Sequence, residues 1–283
     1  MTQIIFQSSA GVVRFGGGGK DAWRMTEVSG LGMSGKSFQT VVYSSEAGQR
    51  TIGEQRSRRI ITIGGDVCGE SHPVSVRIAD AVKALDKPGW LTVRHAGICR
   101  RIWARCSALE QGQRKGAFRT FRVQFCCDSP FFEEMEPRKI ALFERKNEIK
   151  TTFCFPCVMS RRTSRGSVVN SGDAEAEPVF DIYFGENAQF DKAVEITLYN
   201  RSTGEKLTVS YLPEAGEVVT IDIPQRRIFN NKGENLISIL ADDSYMSLFT
   251  LAEGVNIMEA VCGGTVDFSI MCRFTNRFLE AVC

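Results

Sequence analysis

Hydrophobic residues recur along this chain mostly at every second position, the period of a strand with one face buried. In "VEITLYN", Val194, Ile196 and Leu198 point one way, and Glu195, Thr197 and Tyr199 point the other. The turn "NRSTGEK" follows, and "LTVSY" then offers Leu207, Val209 and Tyr211 on one face, which predicts a hairpin. "VVTIDI" repeats the pattern with Val219, Ile221 and Ile223. "TVDFSIMCRF" carries it furthest, through Val266, Phe268, Ile270, Cys272 and Phe274. Short strands separated by turns this often predict an all-β sandwich for the second half.

The first half breaks the two-residue period once. In "SHPVSVRIADAVKALDKPG", Val74, Ile78, Ala81 and Leu85 form an apolar stripe at helical spacing, while Arg77, Asp80 and Lys83 face water. Pro73 suits a first helical position, and Pro88-Gly89 stops the helix. "WLTVR", "ICRRIWARCSAL" and "FRTFRVQF" follow, separated by "HAG" and "EQGQRKGA", and predict an antiparallel meander of three strands. The expected fold class is mainly β: an α+β N-terminal domain of antiparallel strands with one main helix, then a β-sandwich. The charged, proline-containing "EEMEPRK" sets the boundary. That places the domains at residues 1–136 and 149–283, with a linker over 137–148. "RRTSRGSVVNSGDAEAEP" is expected as a loop inside the second domain, ahead of the strand "VFDIYF".

Composition changes this picture little. The chain has 283 residues, 43% hydrophobic and 24% charged, with a net charge of +2. This is a globular composition with room for two domains of about 100–150 residues. So small a charge gives no global drive toward nucleic acid or anionic membranes. The start "MTQIIFQSSAGVVRF" lacks a cationic segment followed by an apolar run, so no signal peptide is expected. No run of about 18 apolar residues predicts a membrane span. Ten cysteines are many for this length. Cys99, Cys106, Cys126, Cys262 and Cys272 lie inside apolar runs, where a thiol packs as a small hydrophobe. They are read as reduced, in a protein made in a reducing cytosol.

One stretch raises a sharper chemical question. Residues 30–37, "GLGMSGKS", match the phosphate-binding pattern G-x-x-x-x-G-K-[ST]. That chemistry needs a buried strand leading in and a helix leading out, whose N-terminal amides hold the phosphates. Here the lead-in "AWRMTEVS" alternates, and the lead-out "FQTVVYSS" is β-branched and aromatic. Strands are expected on both sides, and the match is read as a glycine-rich loop. Cys154 and Cys157 form a CxxC in "TTFCFPCVMS", which reads as a strand interrupted by proline and not as the helix N-terminus a redox pair requires. Zinc would need two further ligands, and no second CxxC exists. His72, at the helix start, and His95, in a tight turn, show no nucleophile-and-base pattern. Arginines cluster at Arg56, Arg58 and Arg59, at Arg100, Arg101 and Arg105 around Trp103, and at Arg161, Arg162 and Arg165. Acidic residues elsewhere balance them, so solvated strand faces or subunit contacts are expected. No catalytic, cofactor-binding or metal-binding residue is assigned.

The order of these features resembles a known family. "RRIITIGGDV", a helix ending "LDKPG", "WLTVR" and a meander closing in "VQFCCDSPFFEE" resemble the N-terminal domain of the distal tail proteins of siphophages. "GLGMSGKS" falls where that family has a variable loop between early strands. "NSGDAEAEPVFDIYFG", "LYNRSTGEKLTVS", "GEVVTIDIPQRRIFNNKGENLIS" and "LFTLAEGVNIMEAV" are similar to the family's C-terminal galectin-like sandwich. The resemblance implies a structural component of a phage or prophage tail tip with no enzymatic activity and no cofactor. It implies self-association of the N-terminal domains into a ring, usually hexameric, joining the tail-tube protein to a hub or fibre protein, with the tape-measure protein a further partner. The location it implies is the virion tail tip, after assembly in the bacterial host cytoplasm. No membrane or specific nucleic-acid partner is expected. A carbohydrate-binding β-sandwich protein with an accessory domain is the alternative, and the CxxC is foreign to the family pattern.

Overall fold

The computed structural model describes residues 2–16, 23–44, 47–68, 74–115, 118–143, 145–147, 160–162, 165–186, 190–262 and 268–281. The chain forms two compact units, Met1–Met135 with Phe278–Cys283, and Glu136–Arg277. The described residues are mainly β, with antiparallel strand pairing and one α-helix.

In the first unit the strands are β1 (Gln3–Ser8), β2 (Gly11–Gly16), β3 (Trp23–Ser29), β4 (Lys36–Val41), β5 (Arg50–Arg56) and β6 (Arg59–Cys68). The helix α1 (Val74–Leu85) follows, then β7 (Gly89–His95), β8 (Ile98–Lys115), β9 (Phe118–Cys127) and β10 (Phe132–Glu134). The main sheet runs β2-β1-β7-β8-β9-β6-β3, and β10 pairs with β8; β4 and β5 form a separate two-stranded sheet. Alternation sends Ile4, Phe6, Phe15, Leu91, Val93, Val123 and Phe125 into one core. Aromatic rings meet there, Phe6 with Phe125 at 5.0 Å and Trp23 edge-on to Phe121 at 4.7 Å between centroids. The helix buries Ile78, Ala81, Ala84 and Leu85, and Val74 packs against the same core. The expected stripe is therefore the buried stripe, widened by Ala84 at i+3 from Ala81. His72 and Pro73 lie outside the described residues.

The meander β7-β8-β9 forms as expected. Ala96 and Gly97, at φ 47° and 88°, make the two-residue turn between β7 and β8, whose left-handed backbone matches the twist of the strands. "EQGQRKGA" departs from its reading as a loop, because β8 continues to Lys115 and pairs with β9 through register shifts at Cys106/Ala108 and Gln111/Arg114. A hairpin that runs beyond its core has no buried face, so its polar composition mimics a loop.

In the second unit the strands are β11 (Arg138–Phe143), β12 (Arg145–Asn147), β13 (Ser160–Arg162), β14 (Arg165–Asn170), β15 (Val179–Phe184), β16 (Val194–Asn200) and β17 (Lys206–Tyr211). They continue with β18 (Val218–Asp222), β19 (Arg227–Asn230), β20 (Gly254–Cys262), β21 (Phe268–Phe274) and β22 (Arg277–Phe278), the last straddling the division between units. Five strands pair in the order β11-β21-β15-β18-β19 and four in the order β14-β20-β16-β17. Both sheets feed one apolar core, including Phe180, Ile182, Ile221, Ile270 and Cys272 from the first, and Val168, Ile196, Leu198, Val209 and Met258 from the second. The predicted β16–β17 hairpin pairs Leu198 with Leu207 and Ile196 with Val209. Val266 lies outside the described residues.

Three boundaries differ from the sequence reading. The stretch expected as linker, 137–148, carries β11, which pairs with β21 and buries Leu142 and Phe143 in the core. Its charged start hid two apolar residues at its end. The loop-like "RRTSRGSVVNSGDAEAEP" contains β14, paired with β20 along its whole length. The last residues, Phe278–Cys283, fall with the first unit and not with the sandwich expected over 149–283. Division at Met135 also separates charge. The first unit has 19 Lys and Arg against 13 Asp and Glu, net +6, and the second has 16 against 20, net −4.

Candidate functional site

The glycine-rich loop lies between two strands, β3 ending at Ser29 and β4 starting at Lys36. Gly30 has φ 87°, and a Cβ there would collide with the Ile60 carbonyl oxygen, so only glycine fits. Gly32 and Gly35 have open space around them. The Lys36 ammonium is held by the Glu54 carboxylate at 2.8 Å, across the β4–β5 pair. That hydrogen bond, with the Lys36 charge, lowers the Glu54 pKa below the ordinary value. No helix supplies amides after Ser37, and the lysine is committed to a carboxylate, so the phosphate-binding letters have no phosphate-binding geometry.

The loop is anchored from beneath. Arg59 opens β6 and is 2% exposed. Its guanidinium donates to the carbonyls of Gly30 (2.7 Å), Gly32, Pro130 (2.9 and 2.8 Å) and Leu279 (2.6 Å), and lies 4.5 Å from the Phe132 ring centroid. Arg100 does the same for the chain end, donating to the Glu280 carbonyl at 2.8 Å and stacking 3.7 Å from the Phe278 ring. The Ala281 amide donates to the Leu31 carbonyl at 2.8 Å. Two arginines read as surface charges thus bind the backbone of the loop and of the C-terminal segment. A planar fork of five donors can satisfy several carbonyls at once, so it can replace the missing ladder partners of irregular backbone.

From that anchored base the β4–β5 hairpin pairs only with itself among the described strands. Phe38 is 57% exposed and Ile52 61%, and Val42 and Tyr43 beyond β4 are exposed as well. An isolated two-stranded hairpin is marginal in water, and apolar side chains at its surface raise the demand for a covering surface.

The other sequence candidates are dispersed. Arg101 stacks 4.2 Å above Trp90, and Arg105 faces Asp128 at 3.6 Å. Arg165 and Arg201 both grip Glu259, at 3.2 and 2.7 Å, which lowers its pKa. His95 Nδ1 is 2.8 Å from the Thr2 hydroxyl. Cys154 and Cys157 lie outside the described residues, as do the side chains of Arg161 and Arg162. Among the described residues no group of three or more His, Cys, Asp or Glu could hold a metal ion, and Cys68, Cys99, Cys106, Cys126, Cys127, Cys262 and Cys272 are free thiols. No described helix is long and apolar enough to cross a membrane.

Sequence reasoning missed a set of buried asparagines in the second unit, Asn170, Asn200, Asn230, Asn256 and Asn276. The Asn200 amide donates to the Thr250 carbonyl at 2.9 Å and to Asn256 Oδ1 at 3.0 Å, while its Oδ1 accepts from the Ser202 amide at 3.0 Å. Asn230 does the same for its turn, accepting from the amides of Lys232 and Glu234 and donating to Glu217. Asn170, Asn200 and Asn230 each supply both donor and acceptor where a strand gives way to a loop. The signal was present as an asparagine at the end of β14, β16 and β19.

The molecule is therefore an antiparallel β protein of two units whose distinctive exposed features are a self-paired hairpin and arginine-bearing sheet faces. Residues 171–278 match the model of the siphovirus-type tail component, C-terminal domain. Along its length the chain has the fold of the SPP1 Dit protein, described as a paradigm of the hub adsorption apparatus in phages infecting Gram-positive hosts. The TM-score is 0.72 at 16% identity, covering 98% of this chain and 99% of that one. A chain of the phage P2 baseplate in its activated conformation with calcium is also similar, with a TM-score of 0.53 at 10% identity, covering 97% of each. No curated protein sequence matches significantly. The resemblance to siphophage distal tail proteins read from the sequence holds.

Proposed function

We propose that this chain is a structural component of a phage or prophage tail tip. In this reading its first unit closes, with copies of itself, into a hexameric ring that links the tail tube to the baseplate hub or receptor-binding apparatus. The second unit is a galectin-like β-sandwich that carries no catalytic residue. The tape-measure protein is a further neighbour, and assembly takes place in the host cytoplasm before the protein occupies the virion tail tip.

The tail-component match over residues 171–278 carries the reading, together with the likeness of fold over the whole chain. The self-paired β4–β5 hairpin is the physical counterpart, because exposed Phe38, Val42, Tyr43 and Ile52 on a two-stranded ribbon suit a heterologous contact around a closed ring. The mass of the purified full-length chain, measured by light scattering over a range of concentrations and by native mass spectrometry, tests it. A discrete closed oligomer supports the ring. A monomer at every concentration, remaining monomeric when mixed with a tail-tube protein, overturns it.

A further inference from the structure

We propose that the outward face of β1, β2, β7 and the first part of β8 is a docking surface for an acidic protein partner, anchored by Trp90, Arg101 and Trp103. Alternation puts Phe6, Leu91, Val93 and Ile102 in the core, and so turns Ile5, Trp90, Arg94, Arg101 and Trp103 outward. Trp90 and Trp103 are directly opposed across β7 and β8 and meet edge to face, with centroids 5.1 Å apart. The Arg101 guanidinium covers Trp90 at 4.2 Å, and its Nε is buried without a hydrogen-bond partner among the described residues. Trp103 remains 40% exposed at the rim of this cluster.

Two of the three tryptophans of the chain thus stand on one solvent-facing sheet, locked in place by each other and by a cation. Rigid Trp and Arg side chains of this kind dominate the binding energy of protein interfaces, because they bring large area at little ordering cost. Charge then selects the occupant. Arg14 and Arg94 extend from the same face and have no ion-pair partner among the described residues, whereas Glu133, opposite Arg101, and Asp128, beside Arg105, are the carboxylates at its margin. An excess of arginine around an aromatic centre is complementary to a carboxylate-rich surface that offers a ring or aliphatic group to Trp103. Nucleic acid fits less well, since Arg101 already occupies one face of Trp90 where a base would stack. The inference does not depend on ring closure.

The test titrates the full-length protein with a random copolymer of glutamate and tyrosine, with polyglutamate and with an oligo-dT single strand, following tryptophan fluorescence. Saturable binding of the copolymer, tighter than polyglutamate and weakened by salt, is expected. Trp103→Ala and Arg94→Glu each lower the affinity roughly tenfold, while Arg58→Glu, an equal charge change at an exposed position in the connection between β5 and β6, changes it less than twofold. Far-UV circular dichroism and the thermal midpoint show that each variant is folded. Absence of saturable binding, an equal loss in Arg58→Glu, or tighter Trp103-dependent binding of oligo-dT overturns the proposal.

Discussion

The guanidinium of Arg59 donates to the carbonyl of Leu279, 220 residues further along the chain, at 2.6 Å. The same group holds Gly30, Gly32 and Pro130, so one side chain ties the glycine-rich loop and the C-terminal segment into the first unit. Replacing it by methionine keeps the stem's bulk and leaves several buried carbonyls without donors. Each orphaned group costs about 1–3 kcal/mol. The expected loss is roughly 3 kcal/mol for Arg59→Met, with Arg59→Lys recovering part of it. In urea, tryptophan fluorescence, which reports the first unit because all three tryptophans lie there, shifts to lower denaturant. An unchanged midpoint would show that the carbonyls find other donors.

The three glycines of "GLGMSGKS" separate in the same assay. Gly30→Ala meets both the Ile60 carbonyl and a left-handed backbone, and is expected to cost 2 kcal/mol or more, on the order expected of a strained, overpacked site. Gly32→Ala and Gly35→Ala meet open space and stay within about 0.5 kcal/mol of the parent. Lys36→Ala removes a surface ion pair and leaves stability close to that of the parent. Equilibrium dialysis with ATP or GTP shows no binding that Lys36→Ala abolishes. A phosphate-binding loop would reverse this ranking, making Gly35 and Lys36 the sensitive positions.

What the sequence made legible follows from period. Helix α1, the β7-β8-β9 meander and the β16–β17 hairpin each bury one face, so their apolar residues announce them. Strands without a buried face do not announce themselves in this way. The end of β8 and the β4–β5 hairpin are polar or apolar on both sides because no core selects one. Arg59 was invisible for a different reason. Its partners are backbone carbonyls brought from three distant places, and a carbonyl carries no sequence signature. The asparagines of the second unit lay in between, since Asn at a strand end is a turn signal but its burial is set by tertiary contact.

Acid sensitivity in the second unit centres on Glu217, which is buried. Burial alone would raise its pKa, but the Glu214 amide, the Asn230 amide group and the Tyr211 hydroxyl all donate to the carboxylate, and the net shift is downward. A carboxyl with a lowered folded pKa adds stability above its unfolded pKa, near 4.5, and loses it as pH falls through the lower folded value. The parent therefore loses stability below about pH 4.5, and Glu217→Gln, less stable at pH 7, has a flatter profile over that window. Chemical denaturation followed by circular dichroism between pH 3 and 7 measures both. Parallel profiles for the two proteins would remove Glu217 as the source.

Thiol chemistry should sort by burial. Cys127 is fully buried and its pKa is pushed up to about 12 by desolvation, and Cys272 is pushed up by the same cause. The thiolate is the reacting form, so both stay inert to maleimide at pH 8 in the native protein. Among the described thiols, Cys99 and Cys126, partly exposed, label before these two. Peptide mass mapping after a timed pulse reads the order, and early labelling of Cys272 would mean that the core of the second unit opens readily.

The hairpin gives the last test, because it separates folding from assembly. Phe38 and Ile52 contribute little to the monomer, being more than half exposed on a ribbon paired only with itself. Phe38→Ser and Ile52→Ser are expected to move the unfolding midpoint by an amount equivalent to about 0.5 kcal/mol or less, as for ordinary surface substitutions. If copies of the chain cover the ribbon in a ring, each substitution removes burial of roughly 1.5–3 kcal/mol per contact, a ten- to hundredfold weaker association. Sedimentation velocity over a concentration series then shows the oligomer of the parent dissociating at far higher concentration in the variants. Equal assembly by parent and variants would place the ring contact elsewhere on the first unit and leave the hairpin for a different neighbour.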